Sequence, residues 1–140
     1  MNILYFGRKS DKYSIKLYEV LIRNSNVNVI WSNGKKNKID FKLNKKIDFI
    51  ICFRSHYLLK KKHIKLAKIA AINFHPGTPK YRGIGCINLA LLKKEKIYGS
   101  TAHLMNTQID NGKIIDVKYF KVKKNENLSD LLDRTHISMF

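Results

Sequence analysis

The sequence predicts an α/β fold built on a mostly parallel sheet, and three observations carry the prediction. Short apolar runs at residues 2–6, 27–31, 47–53 and 71–74 read as strands. Between several of them lie segments whose apolar residues recur at helical intervals, and strands alternating with helices imply a parallel sheet. The 140 residues are 44% hydrophobic, enough for one domain with a single core.

The elements follow in order. Residues 2–6 form a buried first strand ended by Gly7. Ser10 is placed to cap a helix over 11–23, with Ile15, Tyr18, Leu21 and Ile22 at helical spacing. Residues 27–31 alternate as a second strand, and Asn33-Gly34 marks a turn. The run 47–53 is apolar enough for a strand covered on both faces. A helix is expected over 58–70 and a strand over 71–74. After the loop 77–85 come a helix over 87–94, a strand over 98–106 and another over 113–122. Thr101, His103 and Met105 share one face of the first of these two strands. A last helix over 128–140, capped by Asn127 or Ser129, ends on apolar residues with no stop signal, which suggests a truncated chain or a helix that packs elsewhere, within one domain spanning 1–140.

Ligands of parallel α/β sheets collect beyond the carboxyl ends of the strands. Gly7-Arg8-Lys9, Arg54-Ser55-His56 and Asn73-Phe74-His75-Pro76-Gly77 all fall at that edge. Asn73 and His75 stand two apart, so on an extended chain both point to one side before Pro76 and Gly77 turn it. Asp110 sits between an apolar run and Gly112, again where a strand meets a turn. An amide that can donate to an oxyanion, an imidazole that can donate or shuttle a proton, and a carboxylate that can tune that imidazole or collect the amine's proton suit acyl transfer. For those roles the Asp110 carboxylate must lie within about 6 Å of the His75 ring, two hydrogen-bond lengths. Among the other histidines, His56, His63 and His136 read as surface or capping residues.

Asn73-x-His75-Pro76, then Pro79-Lys80-Tyr81-Arg82-Gly83, then Asp110-x-Gly112-x-Ile114-Ile115, resembles the formyltransferases that use 10-formyltetrahydrofolate. The resemblance carries every motif in order from Ile72 to Val122 and only the rhythm of strands before that. It implies a Rossmann-like catalytic-domain fold with helices on both faces of the sheet. It also implies that Asn73, His75 and Asp110 are catalytic. Phe53, Arg54, Ser55, Tyr57, Leu58 and Leu59, with His103 and Gly112, would line the folate co-substrate. Arg8, Gly77, Tyr81, Arg82, Gly83 and Ile84 would hold the acceptor. His75-Pro76-Gly77 with Gly83-Ile84-Gly85-Cys86-Ile87-Asn88 looks most like the branch that formylates sugar nucleotides. Gly77 stands where the family usually has serine. The first βα turn has one glycine, Gly7, so it lacks both a dinucleotide fingerprint and the glycine-rich phosphate loop of the glycinamide ribonucleotide branch.

Cys52 reads as a small core residue, and two cysteines without metal-type spacing exclude a disulfide framework and a zinc site. No apolar run approaches the ~20 residues needed to cross a bilayer, and the N-terminus is charged too early for a signal peptide, so a cytoplasmic protein is expected. The 28 Lys plus Arg against 10 Asp plus Glu give a formal charge of +18. These lysines are scattered, with clusters only at 35–38, 60–62 and 93–94, a pattern of solvated faces and attraction of a small anion more than of a nucleic-acid footprint. The resemblance implies a small-molecule amine as partner, a nucleotide amino sugar, with which the basic surface is compatible, as is a homodimer. Methionyl-tRNA formylation, and an inactive nucleic-acid-binding relative, are the alternatives.

Overall fold

The computed structural model describes residues 1–32 and 46–140; the predicted Asn33-Gly34 turn and the lysine cluster at 35–38 lie outside them. The strands form one sheet of order β2-β1-β3-β4-β5-β6. The chain divides into two compact units, 1–73 and 74–140.

In the first unit, β1 (Asn2–Arg8) is flanked by parallel β2 (Asn26–Ser32) and β3 (Ile47–Phe53). Consecutive residues Ile3, Leu4, Tyr5 and Phe6 of β1 point to opposite faces and are all at 1% exposure or less, so both faces are covered, which explains why its apolar residues run without alternation. The β3 bounds match the sequence reading.

Helix α1 (Lys12–Asn24) is capped by Asp11 and not, as the sequence suggested, by Ser10. Asp11 Oδ1 accepts the Ser14 amide at 2.8 Å, while Oδ2 accepts Arg54 Nε at 3.1 Å. A carboxylate can serve both donors at once; a hydroxyl at position 10 is one residue too early for the N-cap bond to the Ser14 amide. The inward stripe of the helix also differs from expectation. Ser14 is fully buried, and Tyr18 packs 6.3 Å from the Tyr5 ring and 5.4 Å from the Trp31 ring, whereas Ile15 and Ile22 are exposed. The aromatic cluster decides which face turns inward, and those two isoleucines sit outside it. Asp11→Ala should cost about 1–2 kcal/mol from the cap alone, read as a lower denaturation midpoint; an unchanged midpoint would mean that the cap contributes nothing.

The predicted helix over 58–70 is largely absent. Only α2 (Lys61–Ile64) is helical, and β4 (Ala67–His75) starts four residues earlier than expected. The apolar residues that suggested a helix, Leu66 and Ile69, are exposed at 42% and 62%, so no helical face is buried here. Strand pairing overrides the local periodicity. His63 acts in the cap, its Nδ1 accepting the Lys60 amide at 3.1 Å.

In the second unit, α3 (Cys86–Leu92), antiparallel β5 (Ile97–Leu104) and β6 (Ile114–Lys121), and α4 (Leu128–Met139) follow the end of β4. Tyr98 and Leu131 are fully buried in a core with Tyr81, Cys86, Ile87 and Ala90. Of the two caps considered for α4 it is Asn127 whose side chain accepts the Asp130 amide, at 2.9 Å. His136, expected at the surface, is 4% exposed. It follows Thr135 and lies between Leu131 and Met139 on the stripe that α4 turns inward.

Candidate active site

His75 ends β4, and the chain then bends at Pro76. The bend is held by the Pro76 carbonyl, which accepts the Tyr98 hydroxyl at 3.1 Å and the Cys86 thiol at 3.3 Å. One residue on, the Gly77 carbonyl accepts Thr101 Oγ1 at 2.7 Å. The strand β5 thus fixes the backbone that follows the histidine. Gly77 has a steric reason: a Cβ here would lie 2.6 Å from His75 Nε2 and 2.7 Å from the Tyr81 carbonyl oxygen. A serine could not stand in this backbone without moving the imidazole or the loop.

Asp110 lies in the turn between β5 and β6 with φ +49, a left-handed conformation that aspartate tolerates better than most residues. The turn closes tightly, since a Cβ on Gly112 would meet the Leu104 carbonyl oxygen at 1.5 Å. The register steps by one extra residue on β6 between the pairs Ala102–Asp116 and His103–Ile114. Such a bulge re-aims the strand beside a turn.

Asp110 is the hub of the site. His75 Nδ1–H donates to its Oδ2 at 3.0 Å, and the Gly83 amide donates to the same oxygen at 2.9 Å. His103 Nε2 faces Oδ1 at 3.5 Å, while its Nδ1–H donates to the Leu104 carbonyl at 2.9 Å. His75 Nε2–H donates to the Tyr81 carbonyl at 2.6 Å. Both nitrogens of His75 therefore meet oxygens that can only accept, which requires the doubly protonated ring.

The electrostatics agree. Burial by itself would lower the His75 pKa, but hydrogen bonding to Asp110 and Cys86, the Asp110 charge and the Tyr81 carbonyl reverse that and raise it to about 10. Burial likewise works against ionised Asp110, yet His103, His75 and the Gly83 amide hold the carboxyl well below the ordinary carboxylate range. Between these limits the pair is an imidazolium beside a carboxylate.

A pH dependence follows. The native chain keeps a proton on His75 that the unfolded chain releases near ~6.5, so stability is lost as pH rises from there through about 10. Asp110 acts at the other end: its contribution is lost as pH falls below ~4. Melting temperature against pH should fall across the alkaline interval in the native sequence and be flatter in His75→Gln. Parallel curves would show that His75 is not the titrating group.

His75, Thr78, Pro79, Arg82, Thr101, His103, Asp110, Gly112 and Ile114 line one pocket in the second unit. It unites His75, Asp110, His103, Gly112 and Arg82 from the sequence-derived set, with Gly77 and Gly83 held by backbone bonds beside it. Ile84, placed with the acceptor by resemblance, is fully exposed. Thr78, Pro79, Thr101 and Ile114 were not anticipated as lining. Thr101 was within reach of the sequence, since it shares a strand face with His103; the Tyr81 carbonyl, a backbone atom, leaves no sequence signal.

Asn73 lies on β4 two residues before His75. Tyr81 lies in the second unit, while Asn73, Arg8 and the expected folate-lining positions 53–59 lie in the first. Phe53 is fully buried, and its carbonyl accepts Ser14 Oγ at 3.1 Å. Arg54, at φ +57, pairs with Asp11; the Ser55 hydroxyl accepts the Tyr57 amide at 3.2 Å. The Tyr57 ring packs 5.9 Å from Phe6, Leu59 is buried and Leu58 is 69% exposed. The Arg8 guanidinium bonds His56 Nε2.

Comparison with known proteins places these features in context. Residues 23–138 match the family described as Formyl transferase. The chain is 31% identical over 123 residues to the methionyl-tRNA formyltransferase of Mycoplasmopsis pulmonis, which covers 87% of this chain and 38% of that protein. It is 32% identical over 94 residues to the bifunctional polymyxin resistance protein ArnA of Wigglesworthia glossinidia brevipalpis, covering 66% of this chain and 14% of that one. The chain thus spans well under half the length of these relatives. Among solved structures, a 4-N formyltransferase from Francisella tularensis superimposes with a TM-score of 0.79 at 23% identity, covering 99% of this chain and 64% of that one. The formyltransferase PseJ from Anoxybacillus kamchatkensis, solved with UDP-4,6-dideoxy-4-formamido-L-AltNAc and tetrahydrofolate, gives 0.78 at 22% identity, with 99% and 70% covered. At such identities the likeness speaks for the fold.

Proposed function

Because the chain belongs to the formyl transferase family, we propose that it moves a formyl group from 10-formyltetrahydrofolate to a primary amine, the amino sugar of a nucleotide sugar. One observation carries the chemistry: His75 Nε2–H donates to the Tyr81 carbonyl oxygen at 2.6 Å, and a formyl oxygen, an acceptor of the same kind, would share or displace that bond.

When bound, 10-formyltetrahydrofolate supplies a formyl carbon on a weakly basic nitrogen. His75 donates to the oxygen on which charge accumulates as the amine attacks, and such a donor is typically worth ~10²–10³ in rate. Asn73, on the same side of β4 by strand alternation, is the second donor. Asp110 keeps His75 charged and oriented. Its carboxyl is too weak a base to retain a proton, so the proton lost by the attacking amine ends on the nitrogen that releases the formyl group. The acceptor's C–N bond would form first, moving the carbonyl electrons onto the oxygen, and the donor's C–N bond would break as they return, while His75 keeps its own proton throughout. Arg82, exposed at the pocket rim, is placed for an anionic acceptor. The folate-lining role of residues 53–59 and His103, and the acceptor roles of Arg8, Gly77, Tyr81, Gly83 and Ile84, belong to the same proposal.

The acceptor class rests on the scattered lysines, the sugar-branch look of residues 75–88 and the fold shared with nucleotide-sugar enzymes. Methionyl-tRNA is the second reading, favoured by the identity to methionyl-tRNA formyltransferases and by the charge of +18. Formyl-transfer assays with nucleotide amino sugars and with initiator tRNA, each in a salt series, separate the two. A small diphosphate acceptor should weaken only modestly between ~50 and ~200 mM salt, whereas a polyanion displacing 6–10 counterions would lose roughly 10³–10⁵ in affinity. Formylation of tRNA with no turnover of any amino sugar would overturn the acceptor assignment and leave the formyl transfer standing.

A further inference from the structure

Glu95, outside the pocket, is one of 10 acidic residues in a chain with 28 basic ones, and it sits among Lys93, Lys94 and Lys96. Its backbone is fixed by the way α3 ends. Lys94 takes the left-handed conformation at φ +51, its amide donates to the Leu91 carbonyl at 2.9 Å, and the Glu95 amide donates to the Ala90 carbonyl at 3.0 Å. These paired bonds form a Schellman stop, which rigidly sets the direction in which the next side chain leaves the helix. That side chain is 23% exposed, and its Oε1 accepts both the Tyr81 hydroxyl and Lys80 Nζ at 2.5 Å.

Tyr81 is the link to the site. It is 6% exposed, and Lys80 and Lys93 lie over its ring. Its phenol is tied to Glu95, its carbonyl takes His75 Nε2–H at 2.6 Å, and two residues on the Gly83 amide is tied to Asp110 at 2.9 Å. A segment of three residues is thus pinned at the phenol, the carbonyl and the amide, and two of the pins are the histidine and carboxylate of the pocket.

We propose that Glu95 is a positioning residue: through the Tyr81 hydroxyl it sets where the Tyr81 carbonyl stands, and so the direction of His75 Nε2–H. This rests on the formyl-transfer reading for its kinetic consequence but not for its structural one. An isolated surface ion pair would contribute little; here the carboxylate is anchored at a helix stop and its acceptor bond reaches a buried aromatic ring.

The test is histidine-selective NMR of His75 together with formylation kinetics in Glu95→Ala, Glu95→Gln and Tyr81→Phe. Glu95→Ala is expected to shift the His75 ring signals and their titration midpoint. It should lower kcat about tenfold with KM little changed, since a misplacement of ~1 Å can cost up to ~10² in rate. Glu95→Gln keeps an oxygen that can accept the phenol and should restore kcat to within about threefold. Tyr81→Phe should behave as Glu95→Ala, and combining the two should add little. Unchanged His75 signals in Glu95→Ala would overturn the proposal, as would a Gln variant no better than Ala, which would make the charge and not the hydrogen bond the active feature. The NMR arm stands whatever the acceptor proves to be: absence of formylation in the native protein with normal Glu95-dependent His75 signals would refute the function and leave the positioning intact.

Discussion

Asp110→Ala is expected to reduce formyl transfer by about 10²–10³-fold, the range lost with one oxyanion donor, because His75 depends on Asp110 for its charge and orientation. The substitution removes the common acceptor of His75, His103 and the Gly83 amide in a single step. It also leaves a buried imidazolium without its counter-charge, and breaking such a pair from one side costs roughly 3–5 kcal/mol unless the ring gives up its proton. Either response ends the role of His75 as a charged donor at neutral pH. Steady-state kinetics and chemical denaturation measure the two effects separately. The double variant with His75→Ala should lose little more than either single change, because groups that act as one unit are not additive. Activity retained in Asp110→Ala would mean that another group holds the charge.

Gly112→Ala is expected to be the most damaging single methyl in the described structure. Its Cβ would lie 1.5 Å from the Leu104 carbonyl oxygen, which cannot swing aside as a flexible side chain would. That carbonyl accepts His103 Nδ1–H, and the Leu104 amide donates to the Lys113 carbonyl at 2.8 Å, so relief of the clash moves the histidine and the turn together. Overpacking of this kind costs about 3 kcal/mol or more, which for a chain of this size lowers the melting temperature by roughly 10 °C. Activity should fall further than stability, since Asp110 stands two residues away. A variant that melts within about 2 °C of the native protein and turns over normally would show that the turn can open at little cost.

Much of this is legible in the sequence. The strand 47–53, the bend after His75, the turn at Asp110 and the helix that starts at Leu128 all follow from residues that act locally. Each is set by what its own few residues can do: β-branched runs, a proline, a glycine, an asparagine cap. The helix expected over 58–70 was misread because periodicity is a property of the segment alone, whereas strand pairing along β4 is decided by neighbours distant in sequence. His136 was misread for a related reason, since the stripe that α4 turns inward depends on the core that receives it.

The identity of the chemical groups, then, was determined by the sequence: an amide, an imidazole and a carboxylate at strand ends, in an order that resembles one family. Tertiary structure alone decided the state of those groups. The His75 ring is doubly protonated because Asp110 Oδ2, 35 positions away, and the Tyr81 backbone oxygen meet its two nitrogens. Burial strengthens both bonds while it penalises either charge alone, so the balance of the pair depends on distances of about 3 Å that no local pattern encodes. The same holds for Gly77 and Gly112. Their residue type is visible in the sequence, but the atoms that forbid a side chain there, His75 Nε2 and the Leu104 carbonyl, are brought close only by the fold.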